Sequence, residues 1–132
     1  MTDRELMELA VKARSMAYTP YSNYKVGAAL LCKNGKVFLG CNIENASFGA
    51  TNCAERTAIF KAVSEGETEF EKIAVAGGKD QPDNDCSPCG ICRQVMTEFC
   101  DKDFIVILGT PDNLVKYRLE QLLPLFFTKN NM

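Results

Sequence analysis

At 132 residues the chain is one domain's worth of sequence, long enough to bury about two-thirds of its unfolded surface, and a single domain over residues 1–132 is expected. With 46% apolar and 24% charged residues it is neither disordered, coiled-coil-like nor collagenous. Lys+Arg number 15 against 17 Asp+Glu, a formal charge of -2, which leaves no basic excess for a run of phosphates, so neither nucleic acid nor an anionic membrane is expected as a partner.

The N-terminus reads Thr2-Asp3-Arg4-Glu5 instead of a basic patch before an apolar core, and nothing approaches the roughly 20 apolar residues of a membrane span, so a cytoplasmic location is expected. Thr2 and Glu5 form a capping box, and Leu6, Leu9, Ala10, Ala13, Met16 and Ala17 recur at helical spacing, which predicts a helix over 3–17. Tyr18-Thr19-Pro20-Tyr21-Ser22-Asn23-Tyr24 breaks it with a proline, turn formers and three tyrosine rings. Apolar runs over 25–33 and 36–41, separated at Asn34-Gly35, predict a hairpin. A second helix is expected over 53–65, closed by Gly66, and a buried strand at Ile73–Ala76. Residues 79–88 read as a loop, and 89–100 as a third helix in which Cys92, Val95, Met96, Phe99 and Cys100 share one face. Phe104–Leu108 is a further buried strand, 115–119 a weaker one, and 121–123 at most one turn before Pro124. The order α-β-β-α-β-α-β-β, with strands that look covered on both faces, predicts an α/β fold: a three-layer α/β/α sandwich on a mixed five-stranded sheet.

Seven cysteines, an odd number in a chain able to build a core, argue against a disulfide scaffold and leave metal binding or catalysis as uses for the thiols. The absence of histidine excludes Ser-His-Asp and Cys-His hydrolases and every His-ligated zinc or haem site. Three blocks hold the chemical potential: Asn42-Ile43-Glu44-Asn45, Cys53-Ala54-Glu55-Arg56 and Pro88-Cys89-Gly90-Ile91-Cys92. The last two stand at expected helix starts, where unpaired N–H groups and the positive end of the dipole favour a thiolate. Cys53, Cys89 and Cys92 are thus candidate ligands of a tetrahedral zinc. With Cys86 the run becomes C-x-x-C-x-x-C, so spacing alone leaves open a catalytic zinc, a closed four-cysteine structural zinc, or cysteines that simply pack. Glu55 lies two residues from Cys53, about 200° around a helix, so both can serve one site only if it sits over the helix end. Arg56, on the Cys53 side, can donate to sulfur and offset the charge of three thiolates on zinc, or form a surface ion pair.

Cys53-Ala54-Glu55 with Pro88-Cys89-Gly90-Ile91-Cys92 resembles the signature of the zinc-dependent cytidine deaminases, in the form with three cysteine ligands. The whole chain is similar to the small homotetrameric members, from Pro20-Tyr21-Ser22 through Val26-Gly27-Ala28-Ala29-Leu30 to Glu120-Gln121-Leu122-Leu123-Pro124. The resemblance implies one zinc per subunit on Cys53, Cys89 and Cys92, with a water or hydroxide as fourth ligand. It makes Glu55 the proton carrier, first to ring nitrogen 3 of the cytosine and then to the leaving ammonia. It also implies a small nucleoside substrate contacted by Asn42, Glu44, Tyr24 and Ala54, and by Phe127 of a neighbouring subunit. Phe48 departs from the tyrosine common in the family, and Cys86 lies where the family has no ligand, so it is expected free, or else as a competing thiol. Cys32, Cys41 and Cys100 fall in apolar patterns and read as buried small hydrophobes. The reaction implied is conversion of cytidine and deoxycytidine to uridine and deoxyuridine in pyrimidine salvage. Another cytosine nucleoside such as blasticidin S, an editing deaminase acting on a strand, and a structural zinc module are the competing readings.

Overall fold

The computed structural model describes residues 1–83 and 86–132. Helix α1 spans Asp3–Arg14 and starts as predicted, with Thr2 Oγ1 accepting from the Glu5 N–H at 3.1 Å and Glu5 Oε1 accepting from the Thr2 N–H at 2.9 Å. It ends before the expected residue 17 because the chain tightens: Ser15, Met16 and Ala17 donate to the carbonyls of Lys12, Ala13 and Arg14, three residues back. Strands β1 (Lys25–Cys32) and β2 (Val37–Cys41) form the hairpin, in which Gly35 alone takes a left-handed conformation (φ 93°). Helix α2 covers Ala54–Ser64 and Gly66, at φ 92°, follows its end. Strand β3 runs from Phe70 to Gly78, longer than its apolar centre suggested, because its ladder with β1 extends from Lys25 opposite Gly78 to Cys32 opposite Phe70. Helix α3 (Gly90–Phe99), strands β4 (Ile105–Thr110) and β5 (Asn113–Arg118), and the single turn α4 (Leu119–Leu122) complete the regular elements, with short 3₁₀ turns at Phe48–Ala50 and Lys129–Asn131 that the pattern did not announce.

The sheet order is β2-β1-β3-β4-β5, parallel only between β3 and β4, so it is mixed as expected. Alternation along the strands divides two cores. Ala28, Leu30, Ile73, Val75 and Val106 face α2 and α3, while Ala29, Leu31, Ala74, Ala76 and Ile107 face α1, giving the three layers. The expectation that all strands are covered on both faces fails at β5, an edge strand whose Asn113, Val115, Lys116 and Arg118 are exposed. The buried centre of the sheet sets the helices close. A Cβ on Gly27 would lie 2.1 Å from the Ala10 carbonyl oxygen, and one on Gly40 would lie 2.4 Å from that of Ala54. One glycine on each face lets a helix backbone touch the hairpin, and the second of these contacts places the start of α2.

Candidate active site

Cys53 and Cys89 occupy the N-cap positions of α2 and α3, and Cys92 sits in the first turn of α3, fully buried. Neither N-cap side chain bonds to a backbone N–H of its helix, so both sulfurs are available elsewhere. The three Sγ atoms lie within 4.8 Å of one another, and Cys53 Sγ is 3.7 Å from Cys89 Sγ. Zinc–sulfur bonds of about 2.3 Å at tetrahedral angles separate sulfurs by about 3.8 Å, so the donor set fits zinc. No fourth Cys, Asp or Glu joins the group among the described residues, so a zinc held there would take three of its ligands from this set. Each helix start is braced. Thr57 Oγ1 donates to the Cys53 carbonyl at 3.1 Å and accepts from Asn52 Nδ2 at 3.0 Å, while the Arg93 guanidinium donates to the Pro88 carbonyl at 2.8 Å and to Ser87 Oγ at 2.7 Å.

Glu55, in the first turn of α2, is only 4% exposed, and it lies near enough to Cys53 at the helix start for the two groups to influence each other's charge. Burial lifts its carboxyl to about 7; its own backbone N–H pulls it down, the neighbouring Cys53 pushes it up and Arg56 pulls it down. Arg56 Nη2 donates to Cys53 Sγ at 3.2 Å, and its buried Nε has no hydrogen-bond partner among the described residues. It belongs to the sulfur cluster, and among the described residues it forms no surface ion pair. Of the three thiols, Cys53 is pulled down to about 5 by the hydrogen bond from Cys92 and by Arg56 and Cys89, and the same shared bond, with burial, pushes Cys92 up.

Asn42 and Glu44 follow β2 and are drawn to the site by two isolated bridges. Ile43 exchanges hydrogen bonds with Asn52, at 2.9 and 3.0 Å, and so lies beside the residue that precedes Cys53. On its other side, the Tyr18 N–H donates to the Asn42 carbonyl at 3.0 Å and the Glu44 N–H to the Tyr18 carbonyl at 2.9 Å. Both side chains turn to the 18–24 loop. Asn42 Oδ1 accepts from the Val26 N–H and its Nδ2 donates to the Tyr24 carbonyl, each at 2.9 Å. The Glu44 carboxylate, 7% exposed, accepts from the N–H groups of Tyr21 (3.0 Å) and Ser22 (3.1 Å) and from the Ser22 hydroxyl, and these bonds hold it below the usual carboxylate range. A carboxylate has about four lone-pair sites, so roughly one remains for a ligand donor, and Asn42 keeps one N–H and one lone pair.

Against proteins already known, residues 1–108 match the family described as the cytidine and deoxycytidylate deaminase zinc-binding region. This chain belongs to that family. Its zinc is held by Cys53, Cys89 and Cys92. The chain is 50% identical over 132 residues to a cytidine deaminase of Halalkalibacterium halodurans, with 98% of each chain covered, and 44% identical over 133 residues to one of Sporosarcina psychrophila, covering 100% of this chain and 96% of the relative. The crystal structure of a cytidine deaminase from Burkholderia pseudomallei superposes with a TM-score of 0.88 at 48% identity, covering 96% of this chain and 100% of that one.

Within this deaminase fold the remaining predicted residues are placed unequally. Ala54, between Cys53 and Glu55, has its methyl fully buried. Tyr24 and Cys86 both lie over Gly77 of β3, where an added Cβ would come 2.3 Å from Cys86 Sγ and 3.2 Å from Tyr24 Cε1. Cys86 is outside the sulfur group, and burial together with the charge of Glu55 pushes its thiol up to about 12, so it does not compete for metal as a ready thiolate. Phe127 is not brought to the sulfurs within this chain: its carbonyl accepts from Gln94 Nε2 at 2.9 Å, further along α3, and its ring is exposed. Phe48 is exposed and meets the Tyr21 ring edge-on at 6.4 Å. Of the cysteines expected in the core, Cys32 is buried, whereas Cys41 and Cys100 are only half-buried, since β2 is an edge strand and Cys100 ends α3. Sequence reasoning did not single out Ser22, Asn52, Gly77 or Arg93. Only the turn-forming character of Ser22 and the Pro20-Tyr21-Ser22 block hinted at any of them. Among the described residues no helix is long and apolar enough to cross a membrane.

Proposed function

We propose that this chain catalyses the hydrolytic deamination of cytidine and deoxycytidine to uridine and deoxyuridine, with release of ammonia, in pyrimidine salvage. The observation that carries this reading is the buried Glu55 carboxylate near three clustered sulfurs that no fourth Cys, Asp or Glu joins among the described residues. A structural zinc would be closed by a fourth ligand and would have no use for a desolvated carboxylate at its edge. Zinc, when bound, supplies the Lewis acidity that activates water at neutral pH. Glu55 holds a proton from that water, gives it to ring nitrogen 3 of the base and serves the amino group as it leaves. Arg56, donating to Cys53 Sγ, offsets negative charge on the sulfurs. Asn42 and Glu44 take the sugar hydroxyls with their remaining hydrogen-bonding capacity, which discriminates a nucleoside from a free base because the pair would otherwise stay unsatisfied.

Tyr24 flanks the base. Ala54, its methyl buried, offers its backbone N–H, one of the unsatisfied donors at the start of α2. Residues 1–132 form one catalytic domain that works in the cytoplasm as a homotetramer, with Phe127 completing a neighbouring subunit's pocket and no nucleic-acid or membrane partner. The exposed Phe127 ring supports that arrangement. The test is a continuous ultraviolet assay of zinc-replete protein with cytidine, with uridine identified by chromatography. Turnover is expected, and its absence in folded, zinc-loaded protein would remove the reading. Light scattering in line with size exclusion tests the assembly, and a fully active monomer would overturn the role of Phe127.

A further inference from the structure

Glu44 and Tyr24 meet at one residue of the 18–24 loop. The Ser22 hydroxyl donates to Glu44 Oε2 and accepts from the Tyr24 N–H at 3.0 Å, while the Ser22 N–H donates to Glu44 Oε1 at 3.1 Å. The Tyr24 carbonyl accepts from Asn42 Nδ2 at 2.9 Å, so the backbone that carries the ring is held at both ends by side-chain groups of the site. Between Ser22 and Tyr24 the chain turns through Asn23 in a left-handed conformation, φ 58°, which asparagine tolerates better than most residues. The Asn23 N–H donates to the Thr19 carbonyl at 3.1 Å, closing the turn.

We infer that Ser22 is a positioning residue that determines nucleoside affinity, its hydroxyl joining the Glu44 carboxylate and the Tyr24 ring into one unit so that sugar and base are recognised together. The inference rests on the proposed deaminase reading and deepens it. A terminal carboxylate torsion is soft, so Glu44 keeps its free lone pair aimed at a ligand only while both its oxygens are held. Removing the hydroxyl frees Oε2 and leaves the Tyr24 N–H without its acceptor, so two contacts loosen through one atom. Among the described residues no hydrogen bond joins Ser22 to the sulfurs, to Glu55 or to Arg56, so the loss belongs in KM and not in the chemical step.

The experiment compares KM and kcat for cytidine, and the dissociation constant of uridine, in the zinc-loaded wild type, Ser22→Ala, Ser22→Thr, Glu44→Gln and the Ser22→Ala/Glu44→Gln double variant. Ser22→Ala is expected to raise KM and the uridine constant about tenfold with kcat within about threefold and zinc content unchanged. Ser22→Thr, which keeps the hydroxyl, returns KM to within about threefold of wild type. In the Glu44→Gln background the Ser22→Ala change adds less than about twofold, since the group it positions has already been altered. An unmoved KM in Ser22→Ala, a loss confined to kcat, or the same KM factor in both backgrounds overturns the inference. Wild-type protein with neither turnover nor uridine binding overturns the deaminase reading and this inference with it, whereas wild-type turnover with an unmoved Ser22→Ala overturns this inference alone.

Discussion

On one face of the sheet α1 packs Leu6, Met7 and Ala10 against Ala29, Leu31, Ala74 and Ala76; on the other, α2 and α3 pack Ala58, Ile59, Ala62 and Met96 against Ala28, Leu30, Ile73, Val75 and Val106. The packing is of one kind, and each face needs a glycine where a helix touches the hairpin. The difference lies at the helix starts. Thr2 caps α1 with its own hydroxyl and Glu5 closes the box, whereas α2 and α3 begin at Cys53 and Cys89, whose side chains bond to no helix N–H. An N-cap hydrogen bond contributes about 0.5–2 kcal/mol, and the two site-bearing helices forgo it, leaving their N–H donors and positive dipole ends facing the sulfurs. Equivalent positions in two parts of one molecule thus serve stability on one face and chemistry on the other.

That contrast can be broken at several points. Glu55→Gln keeps the shape of the site but removes the group proposed to carry the proton, so kcat is expected to fall by about 10²–10⁴-fold, with zinc by elemental analysis and the melting temperature retained. Retained turnover would return Glu55 to the role of an ordinary helix-start carboxylate. The two glycines compare the faces directly, because Gly27→Ala and Gly40→Ala each force a methyl into helix backbone at an expected cost of about 1–3 kcal/mol in denaturant unfolding. Gly27→Ala should leave zinc affinity of the folded protein unchanged, whereas Gly40→Ala, by moving α2 at Ala54 and Ala58, should lower it. Equal effects on zinc would mean that the faces are not separable.

Smaller effects sharpen the comparison of caps. Thr2→Ala should cost about 1 kcal/mol of stability with turnover intact, while Cys89→Ser should abolish zinc binding yet leave the chelator-treated protein as stable as the wild type or about 1 kcal/mol more so, because serine is a good N-cap. The smallest effect concerns acid stability on the α1 face. Lys72, chiefly by its hydrogen bond, and Lys116 hold the Asp3 carboxyl below its ordinary 3.8. A lowered folded pKa stabilises the protein above the unfolded value, and the contribution is lost as pH falls through the folded one. Asp3→Asn should therefore remove less than about 1 kcal/mol at neutral pH and flatten unfolding curves below about pH 4, with metal content unaffected.

Much of the site was legible in the chain because its ligands are clustered in sequence. Cys53 with Glu55, and Cys89 with Cys92, lie within single helical turns, and placing both blocks at helix starts already required that the carboxylate meet the metal over a helix end. The capping box at Thr2 and the hairpin around Gly35 were read for the same local reason. Boundaries that depend on partners were not: β3 is as long as its ladder with β1, α1 stops where the 15–17 turn tightens, and β5, at the sheet edge, packs only Leu114 and Tyr117 against the cores and exposes its other residues. Asn42 and Glu44 leave β2 together, and both side chains bond to the 18–24 loop. That Ser22 and Tyr21 hold Glu44 depends on residues more than 20 positions apart, which no local pattern encodes.

The sequence alone narrowed the donor chemistry: with no histidine in the chain, every His-ligated site is excluded, and the clustered cysteines and the carboxylate beside them are the candidates that remain, while residues three or four apart settled which side chains share a turn. Tertiary structure decided how these pieces face one another. It brought Cys53 within 3.7 Å of Cys89 across 36 positions, buried Glu55, left Cys86 outside the sulfur group and tied the Asn42–Glu44 segment between Tyr18 and Asn52. Such contacts arise only when two faces of a sheet bury their helices, since packing and not local backbone preference sets distances between residues remote in the chain.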